Sequence, residues 1–153
     1  MKKRFVLVCL CLLMLLSLSG CGSRTALTAE EFIAKAETFG YETADITEQY
    51  ASYGIFTDAA VATSPDGFQV EFYVLNDEAT AAGVFETNKA DFDSLTGAGS
   101  TSTSVNLGNY SSYAVTSGGK YMYVSRVGST LLYVSTESAN KDAVKAIVKE
   151  LGY

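Results

Sequence analysis

Two glycine turns limit what the C-terminal half of the chain can become. Gly118-Gly119 and Gly128-Ser129 divide it into three runs rich in Tyr, Val and Ser: Tyr110 to Thr116, Tyr121 to Val127 and Thr130 to Ser135. Two-residue turns of this kind favour antiparallel hairpins, because their backbone twist matches that of the flanking strands. They also set the register. Tyr121, Tyr123, Val127, Leu132 and Val134 fall on one face, and Tyr113, Met122, Val124, Arg126, Leu131 and Tyr133 on the other.

A fourth strand is legible upstream. Phe68, Val70, Phe72 and Val74 alternate with Gln69, Glu71, Tyr73 and Leu75, a period of two with one strongly apolar face. Ser64-Pro65-Asp66-Gly67 supplies a type I turn with a glycine bulge and pairs that strand with a fifth, about residues 55–63. Three helices are predicted. Thr28-Ala29-Glu30-Glu31 is a capping box before the stripe Phe32, Ile33, Ala36 and Phe39, with Gly40 as the stop. Asn76 is placed as the cap of a helix carrying Ala81, Ala82, Phe85, Phe92 and Leu95. The last helix, about 139–151, presents Ala143, Val144, Ile147, Val148 and Leu151. Residues 96–106, rich in Gly, Ser and Thr, read as a flexible surface loop.

The expected architecture is α+β: an antiparallel sheet of about five strands with helices packed on it, in the order α-β-β-α-β-β-β-α. An internal echo accompanies it. Phe72-Tyr73-Val74 and Val84 match Leu132-Tyr133-Val134 and Val144 at an offset of 60 residues, which suggests a ββα pseudo-repeat. Two strand-to-helix junctions can also resemble each other by chance.

The N-terminus carries a different message. Lys2, Lys3 and Arg4 precede an unbroken apolar stretch from Phe5 to Leu16, shorter than the about 20 residues needed to cross a bilayer. Leu18-Ser19-Gly20-Cys21 follows, and it resembles the lipobox of bacterial lipoproteins. Cys9 and Cys11 within the apolar run show that cysteine is tolerated there as a hydrophobe, so an ordinary secretory signal or signal anchor stays open. The resemblance implies a signal peptide over residues 1–20, lipidation of Cys21 with acyl chains such as palmitate, and a short tether over residues 21–27. It also implies one domain over residues 28–153, held at the cell membrane on the extracytoplasmic side. Gly22 after the cysteine is similar to lipoproteins of Gram-positive cells, as is the single small domain, a likeness that supplies no catalytic motif.

Loss of the leader changes the chemistry available. It removes Lys2, Lys3 and Arg4, leaving 8 basic residues against 17 acidic ones, a net charge of −9. Such a domain has no basic footprint for nucleic acid and is repelled by an anionic membrane surface. Cys21 is the last cysteine and the chain has no histidine. Imidazole or thiolate metal sites, Ser-His and Cys-His catalytic pairs and disulfides within the domain are therefore excluded. No metal or cofactor is expected.

Several short patterns have simple structural explanations. Ser138-Ala139-Asn140-Lys141 has the Ser-x-x-Lys spacing of penicillin-binding proteins but lacks their other elements, and reads as a serine cap before an exposed lysine. Gly118-Gly119-Lys120 lacks the upstream glycine of a phosphate loop. Asp91-Phe92-Asp93 lacks a calcium loop's spacing of ligands, while Glu30-Glu31 and Asp77-Glu78 lie in first helical turns, where the macrodipole favours acids.

The candidate binding residues are Tyr73, Tyr113, Arg126 and Tyr133. If the repeat places all helices on one face, these project from the other as an aromatic platform for a protein, a peptide or a glycan. Long loops covering that face, or the ordinary β-propensity of tyrosine, would account for the same residues. The expected function is a lipid-anchored extracytoplasmic binding or accessory domain without catalysis. The alternative is a carboxylate-dependent hydrolase of cell-wall glycan, which requires two acids about 5 to 10 Å apart across a cleft.

Overall fold

The computed structural model describes residues 23–153; the expected signal peptide over residues 1–20 and the expected lipidation site Cys21 lie outside them. Helix α1 (Ala29–Thr38) starts at the expected capping box: Thr28 Oγ1 accepts from Glu31 N–H at 3.1 Å, and Glu31 Oε2 accepts from Thr28 N–H at 2.8 Å. Strand β1 (Glu42–Asp45) follows, then a single helical turn, α2 (Thr47–Tyr50), and the hairpin of β2 (Phe56–Thr63) and β3 (Gln69–Leu75). The long helix α3 (Glu78–Ser94) leads to four consecutive strands, β4 (Thr101–Leu107), β5 (Tyr110–Ser117), β6 (Lys120–Val127) and β7 (Thr130–Glu137). Helix α4 (Lys141–Leu151) closes the order.

All seven strands form one antiparallel sheet in the order β1-β2-β3-β7-β6-β5-β4. The α+β class stands, with seven strands where about five were expected. Both additions are edge strands. β1 was hidden because its four residues carry no apolar alternation, and their side chains are mostly exposed. β4 overturns the flexible-loop reading for residues 101–106, leaving only 96–100 outside regular structure: Thr101 to Leu107 pair residue by residue with Thr116 to Tyr110. Every residue of β4 is exposed, so it buries nothing that could leave a hydrophobic period. Two finer points also change. The cap of α3 is Asp77, which accepts from Thr80 N–H at 2.7 Å, and Leu95 ends up exposed just past the helix. Ser138 begins a single 3₁₀ turn and Asn140 occupies the cap position of α4, with no side-chain capping bond there.

Helices cover both faces of the sheet. On the first, α1 and α4 bury Phe32, Ala36, Val144, Ile147 and Leu151 against Phe72, Leu132, Val134 and the Tyr121–Tyr123 rings. Phe72, fully buried, stacks on Phe32 with centroids 4.8 Å apart and rings 9° from parallel. On the second face, Ala81, Phe85 and Phe92 of α3 cover Tyr73, Tyr113, Met122, Val124 and Leu131. Burying strands on both faces explains why β6 reads as nearly continuous apolar sequence.

The echo at 60 residues has a structural centre. β3 pairs with β7 so that Phe72 faces Leu132, its own counterpart, flanked by Glu71 with Tyr133 and Tyr73 with Leu131. The symmetry extends no further than these strands, because α3 and α4 go to opposite faces.

Burial pushes the phenols of Tyr73, Tyr121, Tyr123 and Tyr153 above their ordinary value, with a bond to Glu71 adding to the shift at Tyr73. Folded phenols hold their protons more tightly than unfolded ones. The linked stability is therefore complete below pH about 10 and is lost as pH rises towards the folded values. With no histidine present, no side chain of ordinary pKa titrates near neutrality. Thermal melts followed by circular dichroism should give one Tm from about pH 6 to 9 and a falling Tm above about pH 10. A slope between pH 6 and 8 would contradict this account.

Candidate functional site

The register places Tyr73, Tyr113 and Tyr133 on one sheet face, as the hairpin turns required for Tyr113 and Tyr133 and the repeat suggested for Tyr73, but that face is not open. Helix α3 lies across it. Tyr73 and Tyr113 are 7% and 5% exposed, and Tyr133 is half-buried, 5.5 Å from Phe92 between ring centroids. Arg126 does not organise the tyrosines; its Nη1 donates to Gly128 O at 3.0 Å, within its own hairpin. The open platform is thus corrected to a packed interface. What remains is a crevice of about 180 Å³ at its margin, bounded by Tyr50, Phe56, Glu71, Tyr73 and Tyr133 below Val84 and Asn88 of α3.

Hydrogen bonds within that margin have a defined direction. The Tyr73 hydroxyl contacts both Glu71 Oε2 and the Tyr50 hydroxyl, the latter at 2.8 Å. A carboxylate only accepts, so Tyr73 donates to Glu71 and Tyr50 donates to Tyr73. Nearby, Tyr113 donates to Asp93 at the end of α3, which ties the helix to β5.

The larger concavity lies on the opposite face, where α4 stops short of the sheet edge. Cavities of about 500 and 290 Å³ adjoin there, sharing Tyr121, Tyr123 and Lys145. The tyrosines are buried in the floor. The rim is cationic. Lys141, Lys145 and Lys149 stand at intervals of four along α4, a row spanning about 12 Å at 1.5 Å per residue. Lys141 Nζ donates to Thr116 Oγ1 at 3.3 Å and sits 5.5 Å from the Tyr121 ring centroid, so it engages the sheet. Among the described residues the one ion pair is Lys120 with Glu137; the α4 lysines have no carboxylate partner.

Arg24 completes this groove. Its guanidinium lies 3.4 Å from the Tyr110 ring centroid, and Nη1 donates to Gly152 O at 3.0 Å. Its backbone is clamped as well: Arg24 N–H donates to Asn109 Oδ1 at 2.9 Å, and Asn109 Nδ2 donates to Arg24 O at 2.8 Å. The expected tether is thus part of the folded body from Arg24 onward. Four of the eight basic residues in 21–153 surround one groove of an otherwise acidic segment.

Sequence reasoning missed this site, although a signal existed. Lys141, Lys145 and Lys149 form a stripe beside Val144, Ile147, Val148 and Leu151, and only the sheet edge that the stripe overhangs was hidden. The carboxylates form no comparable constellation. The cationic groove contains none, the α3 crevice contains Glu71, and an adjoining crevice of about 300 Å³ contains Glu71 and Glu137, the latter held by Lys120. A hollow of about 360 Å³ carries Asp45 and Glu48, both exposed on one five-residue segment, with Asp45 accepting from Thr47 N–H. Among the described residues no group of three acids is placed to hold a metal ion.

No family model matches the chain, and no curated protein matches it. Among solved structures, the chain is similar to a GTP binding regulator from Thermotoga maritima, with a TM-score of 0.48 and 18% identity over 85% of this chain and 91% of that one. A likeness at this level carries no function across.

The direction of the Tyr50–Tyr73–Glu71 bonds has a measurable consequence. Tyr73→Phe keeps the ring in its packing and removes the donor to Glu71. Urea unfolding should show a loss of about 1.5–3 kcal/mol, the range for a bond to a charged partner, with an unchanged m-value.

Proposed function

We propose that this chain is a lipid-anchored, non-enzymatic binding domain on the extracytoplasmic side of the cell membrane, seated with its cationic groove against anionic phospholipid headgroups. One observation carries the reading: Arg24, three residues beyond Cys21, is locked into the wall of that groove. Three residues reach about 11 Å at full extension, so a lipid on Cys21 would hold the groove within about one Debye length of the headgroups. Four cations near an anionic surface contribute about 1 kcal/mol each. That attraction offsets the repulsion between the membrane and a domain of net charge −9. An anchor and a cationic face together give stable attachment and fix which side of the domain looks outward.

The chain has no histidine and no cysteine after Cys21. The hollow that holds Asp45 and Glu48, two acids with no lysine partner among the described residues, lies on a single exposed segment rather than across a cleft; this favours binding over hydrolysis. The anchor is tested by growing cells with a labelled fatty acid: the wild-type chain should carry label in the membrane fraction, and Cys21→Ala should abolish it. The seating is tested by acetylating lysines of the full chain in vesicles and reading each site by mass spectrometry. Lys145 and Lys149 should react about fivefold more slowly in vesicles containing phosphatidylglycerol than in phosphatidylcholine vesicles. Lys89, on α3 across the sheet, should react equally in both. Uniform rates at all three lysines would overturn the seating.

A further inference from the structure

The crevice beside α3 combines four aromatic rings, Tyr50, Phe56, Tyr73 and Tyr133, with the carboxylate of Glu71. We propose that it binds an organic ammonium ion of about trimethylammonium size, the rings presenting their faces to the cation and Glu71 neutralising it. The proposal names a ligand class for a binding domain and depends on neither the lipid anchor nor the cationic groove, which lies on the other face of the sheet.

The first support is an uncompensated charge. Glu71 is half-buried, and among the described residues no cation stands within ion-pair distance of it. The protein partner it does have, the Tyr73 hydroxyl, is a neutral donor and carries no charge to cancel that of the carboxylate. The relay also fixes what the crevice can receive. Tyr50 gives its proton to Tyr73 and Tyr73 gives its own to Glu71, so neither hydroxyl has a proton left for an anion. The Asn88 amide also lines the crevice and donates to Val84 O, so what Glu71 and the rings offer is negative charge and π faces, the chemistry that attracts a cation.

The local potential has the same sign. Tyr133 holds its phenolic proton above the ordinary value, through burial first and then through the charges of Glu71 and Asp91. Ring geometry adds shape. Tyr50, Phe56 and Tyr73 have centroids 5.0 to 5.3 Å apart and interplanar angles of 47° to 73°, so they form a faceted wall rather than a closed stack. At about 180 Å³ the crevice is below the range of about 300–1,000 Å³ for whole drug-sized ligands, and suits a head group alone. The neighbouring crevice of about 300 Å³ shares Glu71 and Tyr133 and gives the rest of such a molecule a way out.

The test titrates choline chloride into the full-length chain in a sugar-headed detergent, following tyrosine ring resonances by NMR. Its neutral isostere 3,3-dimethylbutanol serves as the comparison. Choline should give saturable shifts at Tyr73 and Tyr133 with millimolar affinity, and the isostere should bind at least about tenfold more weakly. Glu71→Gln should weaken choline about tenfold and leave the isostere unchanged. Should Glu71→Gln fail to fold, Tyr133→Leu decides, because a half-buried ring can be replaced without emptying the core and should still cost several-fold in choline affinity. Three results would overturn the proposal: equal binding of choline and the isostere, a folded wild-type chain without saturable shifts, or a folded Glu71→Gln chain that binds choline as well as wild type. No vesicle enters this measurement, so its failure is separate from failure of the headgroup seating.

Discussion

The antiparallel join of β3 to β7 is the contact on which the rest of the molecule depends. It is the one pairing in the sheet between strands distant in sequence, with α3 and three strands intervening. Its cost is the loop-closure entropy of bringing residue 72 beside residue 132, and the compensation is burial on both sides of the same pair of strands. Phe72 and Leu132 close the first face under Phe32, while Tyr73 and Leu131 close the second under α3. The same register puts Glu71 opposite Tyr133. A shift of one residue would turn every side chain to the other face, emptying both cores and dispersing the carboxylate–aromatic crevice.

What could be read from the sequence follows from which interactions are local. The turns at Gly118-Gly119 and Gly128-Ser129 fix pairing within a few residues, so the face assignments of Tyr121, Tyr123, Met122, Val124, Leu131 and Leu132 match the two cores. The capping box at Thr28 is local too. The choice of face for each helix is not. α3 and α4 both follow a strand with an apolar stripe, and nothing within either stripe states whether the partner is Tyr73 with Val124 or Leu132 with Val134. The repeat at 60 residues argued for one side, and the packing takes both. That single non-local choice converted an expected open platform of Tyr73, Tyr113 and Tyr133 into an interior.

The strands at the edges were illegible for another reason. Hydrophobic period reports burial, and neither β1 nor β4 buries an alternating set of side chains. Their pairing is carried by backbone hydrogen bonds, for which Thr101-Ser102-Thr103-Ser104 and a flexible loop look alike in composition. The cationic groove was missed through the same gap. Its floor and α4 rim are present in the sequence as Tyr121, Tyr123 and a lysine stripe, but its far wall is β4 and its near wall is the clamped segment at Arg24.

Sending the two long helices to opposite faces also separates the charges. The free lysines of α4 and Arg24 gather on one side, where the floor is tyrosine and no carboxylate intrudes. On the other side Glu71, Asp91 and Asp93 stand among phenols that accept no charge of their own near neutral pH. For a charged ligand approaching either face through solvent, the nearest charges dominate, because screening there acts over about 8–10 Å. The two proposed sites, one for anions and one for a cation, thus fall on opposite faces of one domain. With no histidine in the chain, no imidazole adds a pH-dependent charge to either side across the neutral range.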